Sequence, residues 1–153
     1  MKVEIKRLTE TAVLPVRGSA QAAGYDLCAD ISEALVIAPN ETAKVATGLS
    51  FALPEGYFGG IYARSGLATK CGLRPANCTG VIDSDYRGPV IVALHNDSTE
   101  LQTIEPGERI AQLIVQPYLA VTFEEVESLD DTERGAGGFG NHLLMDDANV
   151  PSL

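Results

Sequence analysis

The chain has no run of about 18 apolar residues, the length a membrane-spanning helix needs, so no such helix is expected. Cysteine is scarce. Cys28, Cys71 and Cys78 are too few, and odd in number, for a disulfide framework. With only His95 and His142 beside them they match no zinc-ligand spacing, and they are expected to be small buried hydrophobes or inert thiols. Positive charge is short as well: 11 Lys and Arg against 21 Asp and Glu give a formal net charge of −10. That balance excludes a general nucleic-acid binder, which needs a basic face to displace counterions. The opening Met1-Lys2-Val3-Glu4-Ile5-Lys6 alternates in charge and lacks the apolar stretch of a signal peptide, so a cytoplasmic or other reducing compartment is expected.

At 153 residues, with 45% apolar and 21% charged, the chain has the size and composition of one globular domain. Helical periods are few. Short β-prone runs recur instead: Val3-Glu4-Ile5-Lys6, Leu35-Val36-Ile37-Ala38, Ala43–Thr47, Gly48–Leu53, Tyr57–Ala63, Pro89–Asn96, Arg109–Val115 and Val121–Val126. Turn residues punctuate them at intervals of roughly 8–12 residues, the rhythm of an all-β sandwich or barrel. One helix is expected, short, capped by Ser65 and running to about Lys70. After Ser128 the composition changes. Four of the six residues Gly135-Ala136-Gly137-Gly138-Phe139-Gly140 are glycine, so a flexible C-terminal arm over 129–153 is expected beside a β domain over 1–128.

Several stretches carry chemistry. In Asn77-Cys78-Thr79-Gly80-Val81-Ile82-Asp83-Ser84-Asp85-Tyr86-Arg87-Gly88, Val81 and Ile82 favour a strand and Asp-Ser-Asp a turn. A hairpin or strand end then carries Asp83 and Tyr86 at its tip. A carboxylate that can orient water, beside an aromatic that can stack on a ring, suits catalysis; such a stretch alone is equally a solvated surface turn. Arg64-Ser65-Gly66 opens the expected helix and offers N–H donors and a fixed cation to a phosphate, or is an ordinary cap beside a surface arginine. In Arg109–Val115, Gln112 is a polar exception that must hydrogen-bond something. His95, at a strand end, reads as a packed or surface histidine rather than a ligand. Arg134 and Phe139, set among glycines, read as part of a lid over a ligand or of a plain tail. Because the net charge opposes any anionic ligand, local arginines, backbone N–H groups or a divalent cation must overcome it.

Five of these stretches, in this order, resemble the motifs of the homotrimeric dUTP diphosphatase (dUTPase) family: Ala23-Gly24-Tyr25-Asp26-Leu27, Arg64-Ser65-Gly66-Leu67-Ala68, Gly80–Gly88, Gly107-Glu108-Arg109-Ile110-Ala111-Gln112-Leu113, and Arg134–Gly140. The resemblance implies a distorted antiparallel β-barrel of jelly-roll type and a homotrimer with three shared active sites. It implies hydrolysis of dUTP to dUMP and diphosphate with Mg²⁺, which keeps uracil out of DNA and supplies dUMP for thymidylate synthesis. By resemblance Asp83 is the general base that polarises a water for attack on the α-phosphorus. Tyr86 packs under the deoxyribose and leaves no room for a 2′-hydroxyl, while Asn77, with Gly80 and neighbouring backbone, reads the uracil edge. Arg64, Ser65, Gly66 and Gln112 hold phosphates, and Asp26 holds the magnesium through water. Arg134 reaches phosphate and Phe139 stacks over uracil. The resemblance assigns Asp85 no role, and it is read as a structural acid of the turn.

The chain departs from the family at two places. Ala63 stands where a proline usually precedes Arg-Ser-Gly, and Asn141-His142 stand where Ser-Thr usually contact the γ-phosphate. Two other readings remain at this point. The related dCTP deaminases share the fold but carry Arg-Ser-Ser where this chain has Arg64-Ser65-Gly66. A nucleotide- or protein-binding module with impaired turnover would have no need of Asp83, Tyr86 and Arg134.

Overall fold

The computed structural model describes residues 1–138. They contain twelve strands: β1 (Glu4–Arg7), β2 (Val16–Arg17), β3 (Tyr25–Cys28), β4 (Leu35–Ile37), β5 (Thr42–Ala46), β6 (Leu49–Ala52), β7 (Tyr57–Tyr62), β8 (Leu73–Pro75), β9 (Gly80–Ile82), β10 (Ile91–Asn96), β11 (Gln102–Ile104) and β12 (Arg109–Pro117). Every pairing is antiparallel. The largest sheet runs β2-β3-β12-β7-β9, a second runs β5-β10-β8, and β1-β6 and β11-β4 form two-stranded pairs. The fold is all-β and jelly-roll-like. The hydrogen-bond ladders stay in four separate sheets, so the expected barrel does not close among the described residues.

Alternation along the strands makes the core. In β10, Val92, Leu94 and Asn96 point inward and are buried, while Ile91 faces out at 47% exposure. Leu27, Ile37, Val45, Leu49, Leu73, Ile104 and Ile110 fill the same interior. Each such side chain contributes about 1.5–3 kcal/mol when fully buried. Asn96 is buried and polar, as Thr47 and Ser50 are, and is fully satisfied. Its Nδ2 donates to Ile37 O (2.9 Å) and Glu100 O (2.8 Å), and its Oδ1 accepts from Ser98 N (2.9 Å) and Ser98 Oγ (2.7 Å). One side chain thus fastens β10, β4 and the loop before β11. Gly48 shows why a turn needs its residue: φ is +65°, and a Cβ there would strike the Asp30 carboxylate, which accepts from Thr9 and Thr11 (both 2.6 Å).

The expected helix is a π-helical turn over Leu67–Cys71, closed by Gly72 at φ +67° with its N–H on Leu67 O. Ser65 does not cap it. Gly66 is already helical (φ −62°, ψ −42°), and Ser65 uses its carbonyl to accept from Thr69 Oγ1 (2.7 Å). Nor are β9 and β10 a hairpin, because β9 pairs with β7 and β10 with β5 and β8. Asp83 therefore follows a strand end at the point where the chain leaves one sheet for another. Among the cysteines, Cys28 and Cys71 are half-buried and Cys78 is exposed, so the last is not the buried hydrophobe its composition suggested.

The chain divides into one unit over Met1–Ala120 and a second beginning at Val121. Val121–Val126 is not a strand. Among the described residues it enters no ladder, and Phe123 is 93% exposed, because alternating apolar residues hold a strand only where a ladder and a core receive them. Within the second unit, Gly135 N donates to Thr132 O and Gly137 N to Arg134 O (both 3.0 Å), giving consecutive tight turns. Among the described residues no helix is long and apolar enough to cross a membrane.

Candidate active site

Asp26, on β3, is the centre of one cluster. Its Oδ1 accepts from Arg64 Nε (2.9 Å) and its Oδ2 from Arg109 Nη1 (3.3 Å); its side chain is only 15% exposed. Arg64 Nη1 also donates to Arg109 O (3.3 Å). Two guanidiniums around one carboxylate leave a local excess of one positive charge in a partly shielded place, where it acts more strongly than in water. Here the strongly acidic chain becomes attractive to an anion.

A β-bulge makes this cluster possible. Arg109 and Gln112 are three residues apart, so in a regular strand they would face opposite sides of the sheet. Between Arg109 and Ala111 the register with β3 slips by one: Arg109 faces Cys28, Ala111 faces Leu27 and Gln112 faces Asp26. The extra residue lets Ile110 and Ala111 both turn into the core and brings Arg109 and Gln112 onto one face. Gln112 is oriented by Nε2 donating to Ala63 O (2.8 Å), and its amide oxygen lies over Gly24, where no Cβ obstructs it. Asp26, Arg64, Ser65, Gly66 and Gln112 line one cavity of about 410 Å³, together with Arg109 and Gly24. Five of the residues predicted from sequence are therefore brought together. Arg109 was missed as a site residue, although its strand was singled out. The slip that turns it toward Asp26 leaves no trace in the periodicity.

Asp83 and Tyr86 form a second assembly beyond β9. Tyr86 N donates to Asp83 O (3.1 Å), and Arg87 Nη1 binds Ser84 O (2.6 Å) and Tyr86 O (2.9 Å), wrapping the turn from inside. Ser50 Oγ fastens Arg87 O to β6 (2.7 Å). The Tyr86 ring is folded back so that its hydroxyl donates to Pro89 O (3.0 Å), a pose a Cβ at Gly88 would obstruct. Asp83 and Tyr86 share a small cavity with Ile82 and Pro89. Asp83 also opens, with Asp85, Arg87 and Glu55, onto a larger one of about 610 Å³.

Asn77, in the turn from β8, and Gly80, the first residue of β9, lie at the opposite end of that strand. The Asn77 amide rests against Gly80, and Gly80 packs on Ile61. Arg134 lies in the second unit, with its Nε on Gly137 O (2.8 Å). Phe139, like Asn141 and His142, lies outside the described residues.

The two assemblies of the main unit do not meet within one chain. In the β7–β9 register Ile82 faces Gly59 and Gly80 faces Ile61, so Asp83 falls beside Phe58 while Arg64 leaves the other end of β7. Six residues at about 3.3 Å each separate those ends by roughly 20 Å.

For a metal, no group of three His, Cys, Asp or Glu residues is placed to hold an ion among the described residues. Asp26 fits a looser role. A carboxylate retains lone pairs after accepting two guanidinium bonds, and Mg²⁺ commonly touches protein through one or two carboxylates and retained waters. Half-burial, then the neighbouring Asp26, push the Cys28 thiol above its ordinary 9.0, against the pull of Arg109 and Arg64. It stays protonated at neutral pH and adds no charge to the cluster.

The family model described as dUTPase matches residues 10–142. A deoxyuridine 5′-triphosphate nucleotidohydrolase of Nautilia profundicola is 46% identical over 141 residues, 92% of this chain and 98% of the relative. One of Oryza sativa subsp. japonica is 49% identical over 140 residues, covering 91% of this chain and 79% of the relative. Among solved structures, a mutant dUTPase of Staphylococcus bacteriophage 80alpha with dUpNHpp superposes with a TM-score of 0.81 at 30% identity, covering 92% of this chain and 98% of that one. A mutant dUTPase of the S. aureus phage phi11, described with the coordination of a structural Mg(II) ion, gives a TM-score of 0.74 at 27% identity, over 84% of this chain and 98% of that one.

Proposed function

The chain belongs to the dUTPase family and is a dUTP diphosphatase, and we propose that it cleaves dUTP to dUMP and diphosphate with Asp83 as the base. The convergence of Arg64, Arg109 and Gln112 around Asp26 carries this reading, since it builds an anion cradle in a chain of net charge −10. Arg64, Ser65, Gly66 and Gln112 bind and orient the triphosphate there. Asp26 holds both guanidiniums in position, so that phosphate oxygens meet donors already ordered. Asp26 would hold Mg²⁺ through water, and the ion would supply positive charge to offset that of the triphosphate.

At the other assembly, Asp83 accepts a proton from the attacking water while Tyr86 lies flat under the sugar. Asn77 and the backbone of its turn pair with the uracil edge. Arg134 and Phe139 keep the phosphate and stacking roles that the resemblance gives them. Because Asp83 and Arg64 leave opposite ends of the β7–β9 pair, a complete site takes Asp83 from one copy and Arg64 from another. A homotrimer with shared sites meets that requirement. Exposed Val36, Val81, Ile91 and Leu101 offer apolar surface for its contacts. The free Cys28, Cys71 and Cys78 suit a reducing compartment, the cytoplasm first among them.

The test is diphosphate release with Mg²⁺ from dUTP and dCTP in parallel. Diphosphate from dUTP alone is the expected result. Ammonia from dCTP would move the chain to the deaminases, and dUTP binding without turnover would leave a binding module.

A further inference from the structure

The turn from β8 to β9, residues 76–79, has an unusual task. β8 is laddered to β10 in one sheet and β9 to β7 in another, so the turn crosses between sheets and no ladder closes it. Its own backbone bonds are Ala76 N to Ala93 O (2.8 Å), Cys78 N to Pro75 O (3.0 Å) and Thr79 N to Asn77 O (2.6 Å). Cys78 sits at φ +62°, a conformation that costs a β-carbon residue free energy and persists only when the surroundings impose it.

One side chain braces the start of the turn. Arg74, on β8, spreads its guanidinium between a carboxylate and the turn. Nε and Nη2 grip Asp97 Oδ2 (2.5 Å) and Oδ1 (3.1 Å), and Nη1 points to Pro75 O (3.2 Å) and Ala76 O (3.4 Å). Those are the two carbonyls immediately before Asn77, and among the described residues no other side chain donates to this turn's carbonyls. Asp97 is itself placed, since its N–H is on Gly72 O (2.9 Å) and His95 Nε2 lies 3.4 Å from its Oδ1. The far nitrogen of that ring meets Thr42 Oγ1 at 2.9 Å.

We infer that Arg74, anchored on Asp97, is a positioning residue for base discrimination: it holds the turn so that Asn77 meets the pyrimidine edge at a fixed height. The inference rests on the reading of this turn as the base reader. The pair is surface-exposed, at 35% and 45%, so it adds little to global stability. Its effect is local. A flat, forked donor can serve Asp97 and two carbonyls at once, whereas an ammonium cannot.

Steady-state kinetics of Arg74→Ala, Arg74→Lys, Asp97→Asn and Asn77→Ala on dUTP, dCTP and dTTP, each with a thermal melt, test it. Arg74→Ala is expected to raise KM for dUTP about tenfold and to narrow the dUTP/dCTP ratio of kcat/KM by a similar factor, with the loss falling on KM rather than kcat. Arg74→Lys should follow Arg74→Ala, and Asp97→Asn should fall between it and the wild type, all with melting points close to the wild type. Wild-type KM and base ratio in Arg74→Ala, beside a disabled Asn77→Ala, overturn the inference and leave the base-reading turn intact. An unaltered Asn77→Ala removes the base-reading turn itself and the inference with it. A collapsed melting point with proportional loss on every nucleotide makes Arg74 merely structural and overturns the inference too.

Discussion

The Gln112 carboxamide oxygen lies where a Cβ on residue 24 would stand. Gly24, on the approach to β3, and Gln112, on β12, therefore share one space, and the side chain belongs to the strand that also carries Arg109. Gly24→Ala should push the amide off Ala63 O and out of the cradle. A displacement of about 1 Å at a reacting centre can cost on the order of 100-fold. The expected outcome is a 10- to 100-fold fall in kcat/KM for dUTP, read by diphosphate release, with a melting point near that of the wild type.

Asp83→Asn keeps the shape of the turn and removes the proton acceptor. General-base catalysis is worth about 10²–10⁴-fold, so kcat should fall by that factor while a non-hydrolysable dUTP analogue still binds. Calorimetric binding beside turnover separates the two, and retained turnover would remove Asp83 as the base.

Gly88→Ala tests how the sugar is read. The new methyl would meet the Tyr86 ring and lift it from Pro89 O. With its floor displaced, the site should admit a 2′-hydroxyl, and UTP hydrolysis should rise relative to dUTP by about tenfold. Competition between the two nucleotides measures this directly.

Cys78 is exposed and held at φ +62° without a glycine's freedom. Asparagine tolerates that region, so Cys78→Asn should stabilise the protein by about 1 kcal/mol, visible as a higher urea midpoint with an unchanged slope. A lower midpoint would mean that the thiol contributes packing not apparent from its exposure.

The strands were largely legible because most have a face to bury: Val92, Leu94 and Asn96 alternate with outward residues in the sequence as they do in the fold. The chemical motifs were legible as residue types at strand ends and turns. Three features were not. The bulge before Gln112 depends on pairing with β3, a long-range fact that periodicity does not contain. For the same reason nothing in the sequence points to Arg109, or to the two guanidiniums that hold Asp26. Val121–Val126 has strand composition but joins no strand among the described residues, so local propensity had nothing to act on. Asn77–Gly88 is legible as a hairpin or a strand end and no further, because its turn residues say nothing of which sheet each arm enters; the structure makes it a strand end.

The opposite exits of Asp83 and Arg64 from the β7–β9 pair have a genetic consequence. Two inactive alleles, one lacking the carboxylate and one the guanidinium, should complement when co-expressed, because a mixed assembly can form a site from the intact half of each. With random mixing of Asp83→Asn and Arg64→Ala chains in equal amounts, one site in four draws both halves from sound donors. Activity should recover to about a quarter of the wild type, far above either parent alone. In a cell, a single damaged copy would act beyond its own chain, silencing sites that its partners were equipped to complete.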